Sequence, residues 1–448
     1  MATMKKHRDE YLEALRACGG DVEGRAQAIA YIEGADVCAY GAPVPYSYVP
    51  HLFGPDDVRF LEGVSRMTHG ILSKVIAHYV DDPAYRRIFR YSPELERLIL
   101  LPCPYDEKLP MARFDLFLDE EDLSYKFCEF NTDGSGAFSR DYEGGQALMR
   151  GATFQRFAAG RDVSQFELFD SWVRAFMATY RSSSIAKPDP VVAITDFEES
   201  VVQSDVARFL AAFERAGVRA RFVDVRSFAF DGSQLVDPRD GVAIDAIYRR
   251  SVTSELLQHP GECDAFIDAV AAEKVCAIGH FRTTVVHTKV VSIALFDPAT
   301  RAFLTPEECA YIDEHVPRTY RLETGAPISI DGVCAEKDEW IIKPEDDYGA
   351  HGVFAGVDYS ADEWERLVRQ KVDAGYVVQE YYMPHTVDLV PARLPADGDA
   401  LRVEDWQTMP GLYTYNGRFA GLYVREGREG VIALDHGGLV APTFKVGA

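Results

Sequence analysis

The chain has no excess of positive charge. Its 47 Lys and Arg stand against 71 Asp and Glu, a formal net charge of −24. A nucleic-acid or anionic-membrane partner needs a basic footprint, so neither is expected, although a local basic pocket stays open. No stretch nears the ~20 consecutive apolar residues of a membrane span. The opening MATMKKHRDEYLEALRACGG reads as a charged amphipathic helix, not as a leader with an apolar run. The eight cysteines (18, 38, 103, 128, 263, 276, 309 and 334) form no C-x-x-C pair and no zinc spacing. They read as reduced, mostly buried thiols of a cytoplasmic protein. Internal repeats and low-complexity segments are absent as well. What is present is 448 residues, 47% of them hydrophobic, enough for a large core and two or three domains.

The most informative stretch is Met111 to Gly145, MARFDLFLDEEDLSYKFCEFNTDGSGAFSRDYEGG. Two runs alternate apolar and polar residues, as half-buried strands do. Arg113 and Asp115 share one face of the first, with Ala112, Phe114, Leu116 and Leu118 on the other. In the second, Glu129 and Asn131 point one way and Cys128 and Phe130 the other. The acidic link Asp119 to Asp122 reads as a hairpin turn. Pairing about Asp122 puts Asp115 opposite Glu129 and Arg113 opposite Asn131. Two carboxylates roughly 5 Å apart repel unless a cation or a shared proton lies between them. An Asp, a Glu and an Asn are hard oxygen ligands that suit Mg²⁺. The adjoining Thr132-Asp133-Gly134-Ser135-Gly136 is a loop rich in backbone and hydroxyl donors, suited to an anionic substrate. Solvent-facing strand residues with an Arg113–Asp115 surface pair are the plainer alternative.

Around this hairpin the coarse reading is mixed α/β. Residues 1 to 100 read mainly as helices, including Asp57 to Val80. Helices follow the hairpin at Asp141 to Phe157 and Gln165 to Tyr180. Then a βαβ pattern begins: strand Val191 to Ile194, helix Ser200 to Ala216, strands Val218 to Val225 and Ala243 to Tyr248. Arg249 and Arg250 follow the last strand, where a parallel sheet meets anions. A helix from Val285 to Leu295 carries Lys289. Strand Trp340 to Pro344 contains Lys343 and leads into a loop with Gly349 and Gly352. Helix Ala361 to Lys371 precedes strand Tyr376 to Tyr382, which carries Gln379 and Glu380. Asn416-Gly417 joins Leu412 to Asn416 with Arg418 to Val424, a strong hairpin signal.

These polar features, in this order, suit a triphosphate. Phosphoryl transfer needs Mg²⁺ across the phosphates, lysines on their other oxygens and an arginine where charge develops. The chain resembles the synthetase domain of the glutathionylspermidine synthase family, a branch of the ATP-grasp ligases. The resemblance lies in Arg-x-Asp (Arg113, Asp115), Glu-x-Asn (Glu129, Asn131), Thr288-Lys289, Lys343-Pro344, Gln379-Glu380 and Gly421 to Glu426 with Arg425.

The resemblance implies an ATP-grasp fold with permuted motif order and an inserted, pre-ATP-grasp-like βαβ domain. The expected division is 1–185 for a helical segment plus the hairpin, 186–285 for the insert, and 286–448 for the ATP-binding lysines, flap and C-terminal core. It also implies roles. Asp115, Glu129 and Asn131 bind Mg²⁺, two ions in the family pattern. Lys289 and Lys343 hold the ATP phosphates under a flap containing Gly349 and Gly352. Gln379 and Glu380 meet adenine or ribose. Arg113 and Arg425 act at the transferring phosphate. Thr132, Asp133, Ser135, Arg249 and Arg250 are the substrate-binding candidates. The implied reaction joins a small-molecule or peptide carboxylate to an amine through an acyl phosphate. A non-catalytic nucleotide-binding module and a two-carboxylate hydrolase are the alternatives. The loops after Lys343 and after Asn131 differ from the family's, and no amidase domain is expected. The acid, the amine and the oligomeric state are not specified.

Overall fold

A computed structural model of the chain describes residues 3–35, 37–347 and 349–447. Its centre is an antiparallel sheet in the order Leu439–Ala441, Arg418–Gly427, Glu404–Tyr415, Met111–Leu118, Tyr125–Asn131, with Thr386–Leu389 paired to the start of Glu404–Tyr415. The alternation read from the sequence explains its two faces. Ala112, Phe114, Leu116 and Leu118 are buried against the 27-residue helix Pro55–Asp81, in one cluster with Leu61, Ile71, Leu72 and Val75. Each of the phenylalanine, leucine, isoleucine and valine side chains contributes about 1.5–3 kcal/mol by leaving water. Arg113 and Asp115 therefore face the other way.

The hairpin register is the expected one: Arg113 pairs with Asn131 and Asp115 with Glu129. Beyond Asp115 the register slips, since Leu116 pairs with Phe127. Cys128 is left as the extra residue of a bulge. A bulge bends the strand and re-aims side chains, and Cys128 does not belong to the apolar core expected for it. Its carbonyl accepts from Lys343 Nζ at 3.3 Å, and burial pushes its thiol up to about 11. The cysteines as a group are less buried than expected: Cys263 and Cys276 are buried, five are half-buried and Cys38 is exposed.

A second, wholly parallel sheet runs Cys276–Ile278, Ala246–Arg249, Val191–Asp196, Arg219–Asp224. Helices Gln203–Arg215 and Phe169–Arg181 cover one face and Asp264–Ala271 the other. The run expected as strand 243–248 divides. Val242–Ile244 joins a small side sheet, and Ala246–Arg249 joins the parallel one. Asp245 stands at the break, where its carboxylate accepts from Val191 N at 2.9 Å and its backbone N–H donates to Val191 O at 2.9 Å.

A third sheet, antiparallel, runs Thr319–Arg321, Tyr376–Glu380, Trp340–Pro344, Phe354–Ala355. Helix Ala361–Lys371 lies where the sequence puts it, opened by a Ser360–Glu363 capping box. The stretch 141–157 is two helices, Phe138–Leu148 and Ala152–Ala158, parted at Gly151. The stretch 285–295 is a 3₁₀ turn, Phe281–Val286, then a short helix, Val290–Ala294, capped at Lys289. Among the described residues no helix is long and apolar enough to cross a membrane.

A buried charge chain ties the first segment to the central sheet. His51 Nδ1 bonds Glu120 and His51 Nε2 bonds Glu426, each at 2.8 Å, and Arg8 pairs with Glu120. Burial disfavours the imidazolium, but the two carboxylates outweigh it and raise His51 to about 9. A raised imidazole stabilises the fold fully below its ordinary value of about 6.5. That contribution is lost as pH rises through the folded value of about 9. The melting temperature should therefore fall between these two pH values, and His51→Gln should flatten that part of a melting profile taken by calorimetry.

Candidate active site

The three sheets meet at a cleft of about 340 Å³. Arg113, Glu129, Asn131, Arg250, Gly349 and Arg425 line it, all expected from the sequence, as do Asp133 and Ser135 of the glycine loop. Arg113 clamps Asp115 with two bonds, Nε to Oδ1 at 2.7 Å and Nη2 to Oδ2 at 3.0 Å, and Arg425 pairs with the same carboxylate. Asp115 is completely buried, so the plain surface-pair reading does not hold. The neighbouring strand Glu404–Tyr415 pairs Gly411 with Asp115, and the Asp115 and Arg113 side chains lean into the space over that glycine.

That close approach requires glycine. A Cβ on Gly411 would lie 2.4 Å from Asp115 Oδ1 and 2.9 Å from Arg113 Cδ. Gly411→Ala should push the ion pair out of place and lower activity at least about a hundredfold, the size expected when reacting groups move by about 1 Å. Steady-state kinetics beside a melting curve checks this.

Asn131 Nδ2 donates to Asp115 Oδ2 and to Glu129 Oε1, both at 3.1 Å, so it separates the two carboxylates. Glu129 and Asn131 reach the cleft, whereas Asp115 lies behind them with both oxygens bonded by Arg113, and Arg425 and Asn131 sharing one of them. Amide oxygen and nitrogen exchange by a half-turn, which would put Oδ1 in the place of Nδ2. The Glu129 carboxylate and the Asn131 amide at the cleft are donor types that Mg²⁺ takes, its shell being completed by water and substrate phosphate. Among the described residues no group of three His, Cys, Asp or Glu forms a closed metal cage.

Cations from distant segments approach the same carboxylates. Burial works against the charge on Glu129, but Lys289, Arg425 and Lys343 hold its carboxyl well below the usual range. Lys289 is itself lowered by burial, with Glu129 opposing. Its Nζ donates to Asp347 O at 2.7 Å, and its backbone N–H to Glu345 O at 2.9 Å, which fastens the loop after Lys343 over it. Lys343, only 5% exposed, donates to Gln379 Oε1 at 2.8 Å. Gln379 in turn donates to Thr319 at 2.9 Å, so its amide orients the lysine.

The remaining expected residues divide. Gly349 and Gly352 both have positive φ (70° and 67°), as a tight loop needs, and of the two only Gly349 reaches the cleft. Glu380 is exposed, on the opposite strand face from Gln379; its carboxylate accepts from Arg318 N at 2.9 Å beside a different cavity. Thr132 donates to Thr283 O at 2.8 Å and Ser135 to Asn131 O at 2.9 Å, so both hydroxyls brace the loop. Asp133 and Arg249, both buried, pair with each other, and Thr253 N (2.8 Å) and Thr284 Oγ1 (3.0 Å) complete the carboxylate. They tie the glycine loop to the parallel sheet. Arg250 bonds Asp205 at 3.0 Å and lies 3.7 Å from Asp196.

Sequence reasoning missed Tyr40, Arg140, Asp196, His287 and Tyr423, which also line the cleft. Of these only Tyr423 stands inside a motif, as an unspecified position of Gly421 to Glu426. Only the place of Asp196 at a parallel strand's carboxyl end gave a signal.

No protein-family model and no curated protein matches the chain. Among solved structures it is similar to a glutathione synthetase-like effector from Globodera pallida, with a TM-score of 0.58 at 12% identity. That match covers 94% of this chain and 96% of the other. Also found are a gamma-glutamylcysteine synthetase-like protein of Methylobacillus flagellatus (TM-score 0.41, 13% identity, 85% of each chain) and a D-cycloserine synthetase (0.29, 13%, 57% of this chain and 91% of that one). The first shows a shared mixed α/β fold; the other two are too distant to add to it.

Proposed function

We propose that the chain is an ATP-dependent carboxylate–amine ligase of the ATP-grasp kind, akin to the synthetase part of glutathionylspermidine synthases. The observation that carries this reading is the convergence of Lys289, Lys343, Arg113 and Arg425 on the Asp115–Glu129–Asn131 cluster. A metal-binding acid group ringed by phosphate-binding cations is what a magnesium triphosphate needs. The fold neighbour's glutathione synthetase-like name supports the same class.

In this reading Lys289 and Lys343 bind the phosphates, and Gln379 positions Lys343. Glu380, whose carboxylate faces outward, would meet the nucleotide through its backbone. Glu129 and Asn131 would hold Mg²⁺, which neutralises phosphate charge when bound. Asp115 keeps Arg113 and Arg425 side by side, aimed in advance at the oxygens where charge develops. A substrate carboxylate oxygen attacks the γ-phosphorus and ADP leaves. The amine then attacks the acyl carbon of the resulting acyl phosphate, loses a proton, and inorganic phosphate departs. The loop over Lys289 excludes water that would otherwise hydrolyse the acyl phosphate.

A two-carboxylate hydrolase needs one carboxyl held protonated. Glu129 is driven the other way and Asp115 is locked between arginines, which disfavours that alternative.

Hydroxylamine tests the reading, because it intercepts acyl phosphates. With Mg-ATP and a panel of carboxylates, one acid should yield its hydroxamate and ADP in equal amounts. Tight nucleotide binding with no hydroxamate from any acid would favour the non-catalytic module.

A further inference from the structure

Four arginines line the cleft, and three of them are paired with carboxylates: Arg113 and Arg425 with Asp115, and Arg250 with Asp205. Arg140 differs. Among the described residues no carboxylate lies within ion-pair distance of it. Its bonds go to neutral oxygens and are long, Nη1 to the Tyr423 hydroxyl at 3.3 Å and Nη2 to Cys38 O at 3.4 Å. Its Nε is buried with no partner. Arg140 is half-buried, and its guanidinium faces the cleft with donors that an anion could fill.

The surroundings separate this guanidinium from the reaction centre by a fixed spacer. The Tyr423 ring lies near both guanidinium carbons, Arg113 at 5.5 Å and Arg425 at 5.6 Å from its centroid, while its hydroxyl reaches Arg140. Arg140 is thus one phenol ring away from the arginines assigned to phosphoryl transfer. Its own position is fixed: Tyr46 bonds its carbonyl at 2.8 Å, and it stands in the first turn of Phe138–Leu148.

The wall beside Arg140 comes from the first hundred residues, which carry no motif. There Cys38–Ala39 and Ala42–Pro43 form a hairpin whose turn residues, Tyr40 and Gly41, both have positive φ (50° and 78°). Such a two-residue turn favours Asn-Gly, and a tyrosine held left-handed is unusual. Tyr40 is 61% exposed, and its side chain lines the cleft mouth beside Arg140 and Gly349.

We infer that Arg140, with Tyr423 and Tyr40, forms a carboxylate subsite distinct from the phosphoryl-transfer centre, so that the acid substrate carries a second carboxylate beyond the one activated. The inference rests on the ligase reading for the identity of the first carboxylate. The subsite itself is a matter of binding and is tested without turnover. A guanidinium and a carboxylate make paired, parallel bonds, which sets orientation as well as affinity. The second carboxylate would fix the acid end-on, with its other end at Arg113 and Arg425.

Straight-chain dicarboxylates from succinate to pimelate serve as probes, each against the monocarboxylate of equal carbon number, by calorimetry on the full chain. One chain length should bind at least about tenfold more tightly than its monocarboxylate. Arg140→Met should abolish that difference while leaving monocarboxylate and Mg-ATP affinities unchanged. Arg140→Lys keeps the charge but not the fork and should restore part of the preference. A melting curve confirms that each variant is folded. Equal affinity across every pair, or a preference that survives Arg140→Met, would overturn the subsite. Arg140-dependent dicarboxylate binding with no hydroxamate from any acid under Mg-ATP and hydroxylamine would instead leave the subsite standing and remove the ligase reading.

Discussion

Glu129→Gln is expected to lower ATP turnover by about two to three orders of magnitude, the size seen when one preorganised electrostatic contact is lost. The substitution keeps the shape and the Asn131 bond but removes the charge that Lys289, Arg425 and Lys343 surround. The lysines then repel one another, and the metal-binding set loses its carboxylate at the cleft. Because the side chain is only half-buried in the cleft wall, the fold should persist. The matching change at Asp115 behaves differently. Asp115→Ala strands two arginines, one of them 8% exposed, and should also cost about 3–5 kcal/mol, as breaking a buried ion pair does. Kinetics of ADP release together with urea unfolding separates the two effects. Turnover near that of the unaltered protein in Glu129→Gln would remove Glu129 from the site.

Asp205→Ala is expected to be the most destabilising of the changes outside the reaction centre, by about 3–5 kcal/mol. Asp205 is fully buried. It accepts Ala137 N at 3.0 Å, Ser139 N at 2.7 Å and Ser139 Oγ at 2.6 Å, and it pairs with Arg250 at 3.0 Å. One carboxylate from the helix Gln203–Arg215 therefore satisfies the first N–H groups of Phe138–Leu148 and neutralises an arginine of the cleft. It also holds Ala137 at φ 73°, a left-handed conformation that alanine does not favour. Removing it should loosen the glycine loop and the turn that carries Arg140. Urea unfolding monitored by circular dichroism measures the loss. A change below about 1 kcal/mol would show that these bonds contribute no more than ordinary surface contacts.

The site was legible where local pattern decides structure. Alternation in Met111–Leu118 and Tyr125–Asn131, with polar residues between them, is enough to set the pairing of Asp115 with Glu129, because a one-residue slip would turn Phe114 and Leu116 out of the core. The bulge at Cys128 was not legible, since it comes from how Leu116 and Phe127 pack against a helix some fifty residues earlier. Arg113–Asp115 reads equally well as a surface pair until the strand bearing Gly411, almost 300 positions on, pairs beside it and leaves room for both side chains. Asp133 and Arg249 each look like substrate groups in isolation. Their partnership spans 116 positions, and opposite charges that meet in a buried place neutralise each other. Arg140 and Tyr40 gave no sequence signal because what sets them apart is a missing partner and an exposed turn, and both are properties of the folded surroundings.

The most direct test of the ligase account is ADP release from Mg-ATP over a matrix of acids and amines. The account predicts that one acid–amine pair releases ADP in step with the amide formed, and that leaving out either partner lowers the rate to background. ADP release at the same rate without any amine would contradict it.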